Sequence, residues 1–265
     1  MKTGCRVFLA SFIALGLSWC GFVLAPARQL GTERQVTVLN SSEIYPNQRP
    51  GNATLGLQVY RAYGCAACHT TQVGQDGVVC DVVLTGKNLP AVSNLISSLK
   101  LTGLNNDEAD AVAGKITAAG GKSETHIVPT GPDISRHWGS RHSVAEDFLW
   151  DDPVQLGSVR VGPDLANVGL RYDATWELMH LYNPKSKVTG SAMPSFRFLF
   201  IKQKIGETPS PDALPLQGDD AAAGYEVVPT DDAKNLVAYL LSLRADVPLH
   251  DAPFTTAAPA AGTQK

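Results

Sequence analysis

Gly64-Cys65-Ala66-Ala67-Cys68-His69 is the stretch on which the reading of this 265-residue chain turns. Two thiols three positions apart lie on one helical turn, where they can add to the two vinyl groups of a haem. The histidine that follows then sits under the iron as its proximal ligand. The pattern assigns one covalently attached haem c, with Cys65 and Cys68 as the thioether sulfurs and His69 as the first iron ligand. A structural zinc needs a second knuckle of thiolate or imidazole ligands, and the chain has no second C-x-x-C. A thioredoxin-like dithiol belongs at a strand-to-helix turn, whereas Leu55, Val59, Tyr60 and Tyr63 suggest a short helix running into the motif.

The length suits one domain with appendages, and the apolar content is enough for a core. A formal charge of -3, with no basic stripe interleaved with aromatics, argues against nucleic acid as a partner. Residues Val7 to Pro26 carry no charge and, at about 1.5 Å per residue, reach ~30 Å, the thickness of a bilayer core. Lys2 and Arg6 precede this run and favour a cytoplasmic N-terminus. Haem c is attached outside the bacterial inner membrane, so the rest of the chain is expected in the periplasm on a single-pass anchor. A cleaved signal at Ala25-Pro26-Ala27 and a lipoprotein at Cys20 are the alternatives. Proline at a cleavage site and Trp19 before the cysteine disfavour them.

The expected division is an anchor over 1–27, a linker over 28–52, a cytochrome domain over 53–246 and a disordered tail over 247–265. Residues 72–133 interrupt the domain. Pro90, Val92, Leu95, Ile96 and Leu99 at helical spacing, then Asn106 to Thr117 with acids in its first turn, predict two helices joined at Gly103. The interruption therefore reads as an inserted helical hairpin. Asp107, Glu108 and Asp110 read as charges matched to a helix dipole rather than as a docking patch. Cys80 has no ligand spacing and reads as a buried, inert thiol.

Gly162-Pro163-Asp164-Leu165 places a proline carbonyl where it can accept the other ring proton of His69; the bland reading is an ordinary turn. Asp173 is expected to cap a helix over Ala174 to Tyr182, ended by Asn183-Pro184. Met193, followed by Pro194, has the extended context of a thioether iron ligand and is the candidate for the distal position. Met179 lies mid-helix as a core residue, and His180, His142 and His137 remain alternatives. Arg136, Arg141, Arg160 and Arg171 are candidates to pair with haem propionates or are plain surface arginines. Thr230 or Asp231 caps a last helix with an apolar stripe at Leu236, Val237, Leu240, Leu241 and Leu243.

The N-terminal anchor, GCAACH, SRHWGSRHSVAEDFLWDDPVQLGSVRVGPDLANVGLRY, WELMHLYNP and SAMPSFRFLF together resemble the mono-haem c subunit of cbb3-type cytochrome c oxidases. The resemblance covers the anchor, Leu55 to Thr71 and Arg136 to Phe200, and residues 72–133 fall outside it. It implies an all-α, class I-like cytochrome c domain and an electron carrier with no catalytic centre of its own. Its expected partners are a di-haem or soluble c-type cytochrome as donor and the haem-copper subunit that reduces oxygen as acceptor. A free-standing membrane-bound carrier for another respiratory enzyme is the competing function.

Overall fold

The computed structural model describes residues 2–39, 41–85, 95–217 and 223–249. Helix α1 (Lys2–Trp19) runs through a π-helical turn at Cys20–Leu24 into α2 (Ala25–Thr32). Pro26 accounts for that turn, since its ring would clash with the carbonyl four residues back, and widening the helix there relieves the clash. Thr3–Gln29 forms one span of 27 residues whose most apolar 18-residue window has a mean hydropathy of 2.2 and is wholly exposed. At about 1.5 Å per residue this is long enough to cross a bilayer core.

Strands β1 (Val36–Thr37) and β2 (Ile44–Tyr45) pair antiparallel. Tyr45 is buried, its hydroxyl 2.9 Å from Asp147 Oδ1 and 2.8 Å from Arg244 O, and Arg49 pairs with the buried Asp151. Much of the stretch read as a linker is thus fastened to the domain. Helix α3 (Gly51–Ala62) buries Ala53, Gly56, Leu57, Val59 and Tyr60, the spacing of one helical face. Gly64 ends it in the left-handed region, with φ 66°, a conformation that glycine adopts without a Cβ penalty.

The insertion corrects two expectations, the all-α class and the helical hairpin. Strands β3 (Gly77–Thr85) and β4 (Lys122–Thr130) pair antiparallel in register from Gly77 opposite Thr130 to Thr85 opposite Lys122. Helix α4 (Asn106–Ala118) lies between them in sequence, closed by a capping box in which Asn105 Oδ1 accepts from Glu108 N and Glu108 Oε2 from Asn105 N. Glu108 therefore serves the cap. Val78, Cys80 and Val82 alternate inward, and Cys80 and Val82 join Leu104, Ala109, Val112 and Ile116 in a core separate from that of the cytochrome domain. Burial raises the Cys80 thiol pKa, and its Sγ lies 3.2 Å from Asn106 Oδ1. Of the first helix expected here, Pro90 and Val92 lie outside the described residues.

After the short helix α5 (Pro132–Ser135) the chain runs irregularly to α6 (Val168–Arg171), α7 (Ala174–Tyr182) and α8 (Pro184–Lys187). Strand β5 (Phe200–Lys204) then pairs antiparallel with β6 (Tyr225–Pro229), and α9 (Asp231–Ser242) follows, capped by Thr230. The main core joins α3, α7 and α9, with Tyr60, Leu199, Leu236 and Tyr239 almost fully buried. Helices α3 and α9 cross at Gly56, where an added Cβ would strike the backbone of Asn235 and lie 2.7 Å from Tyr239 Cβ. Residues 247–249, read as the start of a disordered tail, pack onto the domain. Leu249 is buried, and Pro248 O accepts from Leu39 N at 3.0 Å. Residues 250–265 lie outside the described residues.

Candidate functional site

Residues Cys65–Ala67 form a 3₁₀ turn immediately after α3, and His69 N returns to Cys65 O at 3.0 Å. Residues 155–165 wrap this turn. Cys68 O accepts from Val161 N (3.0 Å) and Gly162 N (2.9 Å), Leu165 N donates to Thr70 O (2.8 Å), and Thr71 N donates to Leu156 O (2.9 Å). His69 Nδ1 donates to Pro163 O at 2.8 Å. A carbonyl only accepts, so the proton resides on Nδ1 and Nε2 keeps its lone pair. Burial lowers the His69 pKa, opposed by the Pro163 carbonyl and by Asp164.

Two glycines make the fit possible. A Cβ on Gly162 would lie 2.7 Å from His69 Nδ1 and 2.9 Å from Nε2, so the ring lies against bare backbone. Gly157, with φ 71°, packs equally closely against the backbone of Ala66 and His69. Sequence reasoning took Gly162 only as part of the Gly-Pro-x-Leu loop and gave Gly157 no role.

Asp164 is fully buried and accepts from Gln72 N and Ala166 N, each at 2.8 Å, and from Thr70 Oγ1. Arg160 binds Asp133 through two nitrogens (2.9 and 2.8 Å), reaches Thr70 Oγ1 (2.8 Å) and lies over the Trp138 ring. Arg141 makes two hydrogen bonds to Asp147 (3.0 and 2.8 Å), and Arg136 stacks on Trp138. Three of the four arginines proposed for propionates thus have partners in the chain. Arg171 differs: its terminal nitrogen donates to Asp164 O at 2.7 Å, while its buried Nε has no partner.

Helix α7 faces the same region, with Asp173 as cap, Oδ1 accepting from Trp176 N at 2.7 Å. Tyr172, Trp176 and His180 stack with ring centroids 3.5 and 4.7 Å apart. His180 Nδ1 and Glu177 Oε1 are buried without partners. Burial, then the charge on His69, pushes His180 down to about 4, and burial raises Glu177 to about 7 against the pull of Arg171. The unsatisfied Glu177 escaped the sequence reading, because nothing in WELMHLY distinguishes a buried glutamate from a solvated one.

Met179 is buried in the main core, as expected of a packing residue. Met193 is half-buried and packs against that same core together with Cys65, Ala66, Tyr172 and Leu178. His142 is engaged by Gln75, and His137 is exposed. Burial raises the Cys65 thiol to about 11, and neither Cys65 nor Cys68 is in a disulfide. The residues fit a haem. The chain offers two unpaired thiols, an imidazole with a free Nε2 and a half-buried thioether, and Cys65 and Met193 pack against the same core. Three orphaned polar atoms, on Arg171, Glu177 and His180, lie nearby in the same part of the fold. Buried polar atoms without partners are costly and rare, and a bound group supplies the missing ones.

Residues 124–217 match the family described as cytochrome c oxidase, mono-heme subunit/FixO. That span holds Pro163, Arg171, His180 and Met193 and begins after the C-x-x-C-H. No curated protein matches the chain.

Proposed function

We propose that this chain, whose residues 124–217 match the mono-haem cytochrome c oxidase subunit family, is a member of that family and a membrane-anchored c-type cytochrome carrying electrons to the oxygen-reducing subunit of a cbb3-type haem-copper oxidase. The family description itself implies one haem and an oxidase partner. Covalent attachment, the cbb3 type, a c-type cytochrome as donor and the periplasmic side are this reading's own additions. So is the division into a 1–27 anchor, a 28–52 linker that Tyr45 and Arg49 hold against the domain, a 53–246 haem domain with residues 72–133 inserted, and a 247–265 tail.

The observation that supports this most is the His69 to Pro163 hydrogen bond of 2.8 Å beside two unpaired cysteines. Haem c, when bound, supplies a one-electron ferric/ferrous couple. The chain's residues do the rest. Cys65 and Cys68 would give the thioether sulfurs, and His69 would offer Nε2 to the iron while Pro163 O fixes its tautomer and increases its basicity. Met193 would offer its sulfur as the second iron ligand, which would favour the reduced state relative to imidazole. Arg171 and His180 take the propionates, since these satisfy the two orphaned nitrogens. No residue needs to act as general acid, base or nucleophile.

The test is purification from its native membrane through a tag on this chain. A many-helix haem-copper protein should accompany it in stoichiometric amount. Recovery of a haem-bearing chain without one would favour the free-standing carrier.

A further inference from the structure

We infer that the surface aromatic group Tyr63, Phe196 and Phe198, with the exposed cations of the chain segments that carry it, is the docking surface for a soluble electron donor with an acidic face. This deepens, and rests on, the haem reading above. Phe198 is 60 % exposed and Tyr63 39 %. Their rings nevertheless pack together, with centroids 5.0 Å apart for Tyr63 and Phe198, 5.7 Å for Phe196 and Phe198 and 6.4 Å for Tyr63 and Phe196. An ordered cluster of surface aromatics has the composition of the centre of a protein interface. Tyr63 stands two residues before Cys65 and Phe196 three after Met193. Cys65, Met193 and Phe196 pack on one core, so the cluster borders the site where electrons pass.

Charge says what covers it. Residues 53–76 and 178–207, the segments that hold Cys65, Cys68, His69 and Met193, contain Arg61, Lys185, Lys187, Arg197, Lys202 and Lys204 against two acids, Asp76 and Glu207. All six cations are exposed. These segments carry a formal +4, and because the whole chain carries -3, the remainder carries -7. Glu226, on the strand paired with β5, is buried and hydrogen-bonded to Gln203, so it does not offset Lys202 and Lys204 at the surface. A polarity of this kind steers a diffusing partner of opposite sign. An acceptor held in the same membrane complex gains little from steering, because tethering already fixes its effective concentration. The surface therefore suits the donor.

The experiment is stopped-flow reduction of the full-length, oxidised protein in detergent by three reagents: a net-negative soluble c-type cytochrome, a net-positive one, and neutral hydroquinone. The negative cytochrome should react fastest at low salt. Its rate should fall about tenfold or more as ionic strength rises from about 10 to about 300 mM. Reversing Lys202 and Lys204 together (K202E/K204E) should remove most of that salt dependence, and Phe198→Ala should slow the reaction at every salt concentration. Neither change should alter reduction by hydroquinone. A negative cytochrome no faster than the positive one, or an unchanged salt dependence in K202E/K204E, overturns the inference while leaving the haem reading intact. So does a salt dependence found only in onward transfer to the oxidase subunit. Hydroquinone failing to reduce the wild type overturns the haem reading itself, and the docking inference with it.

Discussion

His69 and Gly162 are in direct contact, the imidazole lying so near the backbone of residue 162 that a Cβ there would be 2.7 Å from Nδ1 and 2.9 Å from Nε2. Gly162 N is at the same time bonded to Cys68 O at 2.9 Å, so the loop has no room to retreat. Gly162→Ala should push the ring away from Pro163 O at an overpacking cost of about 1–3 kcal/mol. The expected outcome is a lower yield of low-spin haem protein with a lowered thermal midpoint, read by absorption and calorimetry. A variant with wild-type spectrum and midpoint would contradict the packing described.

Gly56 and Gly114 allow a contrast. Gly56→Ala drives a methyl into Asn235 and Tyr239 at the α3–α9 crossing and should destabilise by about 1–3 kcal/mol. Gly114 sits in α4 with nothing within 4 Å, so the same substitution should stabilise by about 0.5–1 kcal/mol. Urea unfolding followed by circular dichroism reports both, and the predicted signs are opposite.

The Arg160–Asp133 pair joins the base of the insertion to the loop around His69. Asp133 is buried while Arg160 is about one-third exposed, so solvent screens part of the attraction. Arg160→Gln leaves a buried carboxylate short of its charge partner and should cost about 1–3 kcal/mol. Limited proteolysis should then cut within residues 122–135 sooner than in the wild type.

Glu177 titrates in the neutral range. Burial raises its folded-state pKa to about 7 from 4.5, so the folded protein binds this proton more tightly than the unfolded chain does. Stability from this group is fully present below about pH 4.5 and is lost as pH rises through about 7. The loss has an upper bound of about 3 kcal/mol, because each pH unit separating the folded and unfolded pKa values is worth about 1.36 kcal/mol. Glu177→Gln should flatten the decline in unfolding free energy between about pH 5 and about pH 8, measured by denaturant titration at several pH values.

Three periodic or capping signals led to the right element. The run into Cys65, the helix capped by Asp173 and the last helix capped by Thr230 all have such signals, and all three form. The insertion defeated the reading for a physical reason. Val79 and Val83 place apolar side chains on the outer face of β3 as well, which blurs the period of two, and β4 is an edge strand of mostly polar residues. The site divides the same way. Cys65, Cys68, His69 and Pro163 are consecutive or nearly consecutive in motifs that the sequence displays. Glu177 became visible only once α7 was docked, because its burial is a tertiary property.

The central claim is that Cys65 and Cys68 hold a haem covalently, and the most direct measurement is haem staining of the full-length chain after denaturing electrophoresis. The wild type should keep its stain at about 28.2 kDa, the mass of the chain, and give the pyridine haemochrome spectrum of a double thioether. Cys65→Ala/Cys68→Ala should run unstained. A wild type that loses its haem on denaturation, or a double variant that retains it, would contradict the account.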